Sequence, residues 1–194
     1  GFTATSITIT GESGFSDFQV GNGGCVDPDI PTVSASPMAI CEGGSSTLSI
    51  TGGDLNDATI WQWYAGSCGG TPVGTGTSIM VSPGSTTTYY VRGEGGCVTP
   101  GACAQVTLTV DANPGAADNT TSIASICEGT DKALTGTPAG GTWSIVGMAT
   151  GSITGSTYST GDVAADENVT IRYTIAANGS CPATTSDVTF TVNA

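Results

Sequence analysis

CEGGSSTL at Cys41–Leu48 returns as CEGTDKAL at Cys127–Leu134. The echo extends well beyond the eight residues that announce it. TTTYYVRGEGGC at Thr86–Cys97 aligns with VTIRYTIAANGSC at Val169–Cys181, which sets Tyr89 on Tyr173 and Cys97 on Cys181. QVTLTV at Gln105–Val110 aligns with DVTFTV at Asp187–Val192, and TIWQWYAG at Thr59–Gly66 answers GGTWSIVG at Gly140–Gly147. A period of about 80 residues is the size of one small domain. The chain therefore divides into residues 31–111, residues 112–194, and a leading piece, 1–30, expected to be the tail of a preceding β module.

The 194 residues include 30 Gly and 9 Pro, and the apolar residues alternate with Ser and Thr in short runs such as TSITIT at Thr5–Thr10. Alternation is the period of a half-buried strand, and no stretch sustains the three-and-four spacing of a helix. The expectation is an all-β chain. Short strands, a tryptophan strand in mid-unit and a cysteine near each end predict tandem immunoglobulin-like β-sandwiches tied by disulfides. The prolines at Pro31, Pro37 and Pro114 stiffen the linkers, so an elongated, semi-rigid rod is expected. GFSDFQVGN at Gly14–Asn22 reads as a strand closing in a Gly-rich turn.

Seven cysteines in a chain without histidine point to disulfides in an oxidising, extracellular setting rather than to zinc. The second unit owns only Cys127 and Cys181, so pairing within the unit joins those two. Their counterparts are Cys41 and Cys97, which leaves Cys68 with Cys103 as an extra bridge. Two other schemes stay open: Cys41 with Cys103 and Cys68 with Cys97, or Cys41 with Cys68 and Cys97 with Cys103. Cys25 has no assigned partner. A Cys41–Cys97 bridge would contribute roughly 4 kcal/mol by loop-closure entropy.

Three basic residues against 16 acidic ones give a net charge of −13. Such a chain repels nucleic acid and anionic lipid. No apolar run approaches the roughly 20 residues of a spanning helix, so membrane insertion is not expected. Acidic residues in turns, Asp27 with Asp29, Asp54 with Asp57, and Asp162, Asp166 and Glu167, are the candidates for calcium. No spacing of a known calcium loop is present, and no other metal or cofactor is implied.

The absence of histidine removes the Ser-His and Cys-His nucleophile pairs. Lys132, beside Asp131, reads as solvated surface charge rather than as a base for serine. The glycine-rich GEGG at Gly93–Gly96 lacks the lysine and helix of a phosphate loop. No catalytic residues are assigned. Trp61 and Trp63 point to one strand face and Tyr64 to the other, with one tryptophan and Trp143 expected in the cores. Trp61 or Tyr64 is the candidate platform for stacking a sugar ring. Asn119, Asn168 and Asn178 open N-x-S/T triplets that a Ser/Thr-rich chain produces by chance.

CEGG, the W-Y strand, SCGGTPVGTG, VSPGSTTTYYVRGEGGC and an alternating last strand together resemble the immunoglobulin-like repeats of very large Bacteroidota surface proteins. The resemblance covers Pro31–Val110 well and Pro114–Ala194 more loosely, since the second unit lacks the SCGG turn. GFSDFQVGN is similar to the closing strand of another module of such proteins. The resemblance implies export by the type IX secretion system, a place at the cell surface, and a role in adhesins such as the mobile gliding (SprB-like) class. Implied partners are neighbouring repeats, surface polysaccharide, and gliding or secretion machinery reached through other parts of the parent. Related modules also serve as spacers or carbohydrate-binding accessories of secreted polysaccharide-degrading enzymes, and that is the competing expectation.

Overall fold

The computed structural model describes residues 24–194, so the strands expected at Thr5–Thr10 and Gly14–Asn22 lie outside the described residues. Every regular element among the described residues is a strand, as alternation of β-branched and apolar residues dictates. The first unit contains β1 (Thr32–Ser36), β2 (Ala39–Cys41), β3 (Ser46–Gly52), β4 (Ile60–Ala65), β5 (Thr71–Thr75), β6 (Ser78–Val81), β7 (Thr87–Glu94) and β8 (Ala104–Asp111). They form a three-stranded sheet, β1-β3-β6, and a five-stranded sheet, β2-β8-β7-β4-β5. Ala35, Leu48 and Val81 from the first sheet meet Ile40, Trp61, Trp63, Tyr89, Val91 and Leu108 from the second in one core, which is the definition of a sandwich.

The second unit contains β9 (Asp118–Asn119), β10 (Ile126–Cys127), β11 (Asp131–Ala133), β12 (Gly136–Thr137), β13 (Thr142–Val146), β14 (Ser152–Thr154), β15 (Thr157–Ser159), β16 (Glu167–Ile175) and β17 (Thr184–Asn193). Sheet β10-β17-β16-β13 faces sheet β11-β15-β14 across Leu134, Tyr158, Val169, Ile171, Phe190 and Val192. The short β9 and β12 pair with each other. The buried Asn119 donates from Nδ2 to Ile171 O at 2.8 Å and accepts from Thr121 N at 3.1 Å, so its polar side chain is fully engaged inside the unit.

Register corrects one detail of the repeat. β7 sets Tyr89 opposite Val106, whereas β16 sets Ile171 opposite Val188. With the last strands aligned, Tyr89 corresponds to Ile171, and Tyr173 corresponds to Val91. The matched tyrosines of the sequence alignment are thus two residues apart in the sheets. Tyr173 instead stacks on Trp143, with ring centroids 4.4 Å apart, and covers Gly136 and Gly141. A Cβ at Gly141 would sit 2.3 Å from the ring. The tyrosine hydroxyl donates to Pro138 O at 2.5 Å and accepts from Gly141 N at 2.8 Å.

Lys132 is a second correction, because it is only 7% exposed rather than solvated. Its Nζ donates to Ala124 O at 2.5 Å and lies 4.4 Å from the Phe190 ring centroid. Burial pushes its pKa down. The aliphatic stem joins the packing of the second core while carbonyl and ring compensate the charge.

Leu108 is completely buried at the centre of β8. Leu108→Ala is expected to cost about 2–5 kcal/mol by urea denaturation, from lost transfer energy and the cavity left behind. Met80→Ala, at a side chain 74% exposed, is expected to change stability by no more than about 0.5 kcal/mol in the same assay.

Candidate functional site

The two units meet at a joint made from chain ends that sheet pairing brings together. β2 runs parallel to β8, placing Cys41 beside Asp111, the last residue of the first unit's last strand. Cys97 lies in the loop before β8 begins at Ala104, and an eight-residue strand is roughly 24 Å long. Cysteines with Cα atoms more than about 7 Å apart do not bridge without backbone movement. The expected Cys41–Cys97 pair is therefore incorrect. Cys127–Cys181 fails for the same reason, because Cys127 lies beside Asn193 at the end of β17 and Cys181 precedes its start.

Cys41 and Cys97 find their partners in the other unit and in the leading piece respectively. Cys41 bonds to Cys181, with Cα atoms 4.7 Å apart, and so links the exit pole of the first unit to the entry loop of the second. Cys97 bonds to Cys25. Cys68 bonds to Cys103 inside the first unit, and Cys127 is a free, exposed thiol. Residues 25–29 are laid onto the first unit, with Asp29 N donating to Asp54 O at 2.9 Å and Asn56 Nδ2 to Asp27 O at 2.9 Å. Pro28 packs over Gly93, where a Cβ would approach its ring carbon to 2.5 Å.

The loop that receives Cys41 is Asn178-Gly179-Ser180-Cys181, closed by mutual backbone hydrogen bonds between Asn178 and Cys181 of 3.1 and 2.9 Å. Gly179 has a φ of +55°, and a Cβ there would lie 2.2 Å from the Asp111 carboxylate, so only glycine allows the approach. Asp111 Oδ2 accepts from Ser180 N and Ser180 Oγ, each at 2.6 Å. Those bonds hold the Asp111 carboxyl below its ordinary pKa. Asn178 Nδ2 donates to Ala112 O at 2.8 Å. Thr184 Oγ1 donates to Gly115 O at 2.8 Å and accepts from Ala117 N at 3.0 Å, fastening the linker to the second unit.

The aromatic platform is not at the surface. Trp61 is 4% exposed and Tyr64 is 7% exposed, which overturns both as sugar-stacking candidates. Unbroken register against β7, with Trp63 opposite Val91 and Tyr64 opposite Tyr90, keeps Tyr64 on the sheet face away from the tryptophans, where Arg92 and Glu94 cover it. The Tyr64 hydroxyl donates to Glu94, whose Oε1 also accepts from Arg92 Nε at 2.6 Å, while the guanidinium lies 5.5 Å from the Tyr64 ring centroid. Burial first, and the Glu94 bond second, push the phenol pKa up. Trp143 alone of the tryptophans is partly exposed, at the edge of a shallow groove with Ile153 and Gly155.

The acidic candidates are engaged in local contacts rather than converging. Asp57 Oδ2 accepts from Val26 N at 2.8 Å, Asp54 N donates to Asp29 at 3.1 Å, and Asp166 accepts from Ala194 N at 3.2 Å. Among the described residues no three Asp, Glu, His or Cys side chains stand close enough to hold a metal, Asp162 included. The sequence held little signal for the joint. Asp111, Asn178 and Ser180 were unremarkable polar residues, and the only clue was the N-G-S-C turn at Asn178–Cys181, whose cysteine was assigned elsewhere.

Residues 28–114 match the family described as the Ig-like domain CHU_C associated, which makes the first unit an immunoglobulin-like domain. Among solved structures, the chain is similar to the fibronectin(III)-like modules of Clostridium thermocellum CbhA, at 12% identity over 84% of this chain and 93% of that one, with a TM-score of 0.35. It is also similar to the N-terminal eight Ig domains of Down Syndrome Cell Adhesion Molecule, at 13% identity, with a TM-score of 0.49. There the match covers 88% of this chain and 25% of the other. No curated protein matches the sequence. The first unit is thus immunoglobulin-like, the described residues throughout are all-β, and the three disulfides fit an extracellular compartment.

Two experiments probe these contacts. The double variant Cys41→Ser with Cys181→Ser is expected to keep both cores folded while thermolysin cuts the 112–117 linker about tenfold faster, since the remaining hydrogen bonds compete with water. Burial pulls the Glu94 pKa upward, but bonds from Tyr64 and Arg92 outweigh it and leave the value below the ordinary 4.5. A depressed folded value means a contribution fully present above the unfolded pKa and lost as pH falls through the folded one. Glu94→Gln is expected to lower stability at pH 7 by about 1–2 kcal/mol and to flatten the decline that wild type shows below about pH 4.5, both read from urea midpoints.

Proposed function

We propose that this chain is a force-bearing stalk segment of a cell-surface adhesin, acting in surface attachment or gliding motility and carrying no catalytic residues. The observation that carries the reading is the Cys41–Cys181 bridge between units. A pull on the two ends passes from Cys25 along the backbone to Cys41, crosses the bond, and leaves through Cys181. Strands β3 to β16 stand outside that path, while β1, β2 and β17 lie on it. A bridge inside one unit would protect that unit alone, whereas a bridge between units carries load past both while the Ser180 bonds to Asp111 orient the joint.

The composition supports the same reading. A surface with 16 acidic and three basic residues stays hydrated beside other acidic polymers. The resemblance to Bacteroidota surface repeats supports a type IX secreted adhesin as the parent, and in that reading the partners are the adjoining repeats, surface polysaccharide and, through other parts of the parent, the gliding machinery. The competing reading is an accessory carbohydrate-binding or spacer module of a secreted polysaccharide-degrading enzyme, and its carbohydrate-binding form is favoured by Trp61 or Tyr64 on the surface. Both are buried.

Single-molecule pulling between the termini tests the stalk reading. The bridge closes a separation of 140 residues, so reduction is expected to add roughly 470 Å of contour length at 3.3–3.6 Å per residue. Equal extension of the oxidised and reduced chains would remove the mechanical role.

A further inference from the structure

The exit face of the first unit has a copy on the second. In the first, Cys41 lies opposite Asp111 and Glu42 N donates to Asp111 O at 2.9 Å. In the second, Cys127 lies opposite Asn193 and Glu128 N donates to Asn193 O at 2.9 Å. The turns beyond also correspond, with Gly44 N donating to Cys41 O at 2.8 Å and Thr130 N to Cys127 O at 3.2 Å. One face is occupied. It holds the Asn178–Cys181 loop through a disulfide, two hydrogen bonds to Asp111 and one to Ala112. On the other, the equivalent cysteine is the exposed thiol of Cys127, the one cysteine among the described residues outside a disulfide.

We propose that the exit face of the second unit, formed by Cys127, Asn193 and Ala194, is the docking site for the Asn-Gly-Ser-Cys loop of a further unit of this kind joined in line, and that Cys127 forms a disulfide with the loop cysteine. The occupant is chosen by the joint already present. Asp111 and Ala112 carry the chain into the unit whose loop returns to bind them, and Asn193 and Ala194 occupy the same register positions. The bond forms when the two thiols give up two protons and two electrons to a disulfide oxidant, which is released as two thiols. Asn193 in place of Asp111 offers its Oδ1 to the loop N–H without a charge, so this second joint depends more on its covalent bond than the first does. The inference follows from the joint alone and stands whether or not the assembled chain is an adhesin.

The test joins a second copy of residues 112–194 directly after Asn193 of the full chain and folds the product in reduced and oxidised glutathione. Peptide mapping without reduction is expected to find Cys127 linked to the appended copy of Cys181, with the appended copy of Cys127 the single site of iodoacetamide labelling. Cys127 remaining open to label while Cys41–Cys181 is intact would overturn the proposal, as would linkage of Cys127 to Cys127 of another molecule. A second measurement does not require the appended unit to fold. The natural chain is mixed with the synthetic peptide Ala177–Pro182 activated as a thiopyridyl disulfide. Exchange with Cys127 is expected to run about fivefold faster than for the same peptide carrying Gly179→Val and Ser180→Ala, because only the native turn fits the face before sulfur attack. Equal rates would count against the docking face.

Discussion

The parallel pairing of β2 with β8 is the constraint from which the joint follows. A parallel neighbour ends where its partner ends, so the cysteine of the opening motif is carried to the pole from which the chain departs. An antiparallel strand at that edge would have returned Cys41 to the pole of Cys97 and closed each unit on itself. The same arrangement recurs at β10 and β17, which makes the placement of cysteines at opposite poles a property of the repeat rather than an accident of one copy. The second sandwich is then left to its apolar core for cohesion, while of the three bridges one joins the units, one lies inside the first unit and one ties the leading piece to it.

The polar contacts follow the same division. Within the units, buried polar groups are satisfied locally, as Asn119 by Ile171 and Tyr173 by Pro138 and Gly141, and among the described residues no buried side-chain nitrogen or oxygen lacks a partner. At the joint, a carboxylate of the first unit is read by two donors of a glycine-containing turn of the second. Such an interaction is directional, and it orients the units where the disulfide by itself supplies only a tether. The surface pair Arg172–Asp187, at 2.7 Å and about two-fifths exposed on each side, adds at most about 1 kcal/mol and leaves the large negative charge to solvent.

Local pattern was a sound guide wherever one residue's neighbours in sequence decide its environment. Alternation in Thr87–Glu94 and Thr184–Asn193 appears as alternating burial along β7 and β16–β17, and Trp63 and Val91 lie in the core that their strands imply. Pattern failed where distant residues decide what covers a face. Alternation set Tyr64 on the face away from the tryptophans but gave no sign that Glu94 and Arg92 cover it there, and the differing register of β7 and β16 separated two tyrosines that the alignment had matched. Lys132 was misread because a single charge gives no sign of the Phe190 ring and Ala124 carbonyl that receive it.

The sequence by itself determined an all-β chain with a recurring motif and the presence of a disulfide framework, because hydrophobic period and residue counts are local or additive properties. Which cysteine meets which was decided only by tertiary structure. Partner choice depends on where strand ends fall in space, and the edge strand of each sheet, running parallel to the last one, sends Cys41 to Cys181 across 140 residues and leaves Cys127 at the far pole.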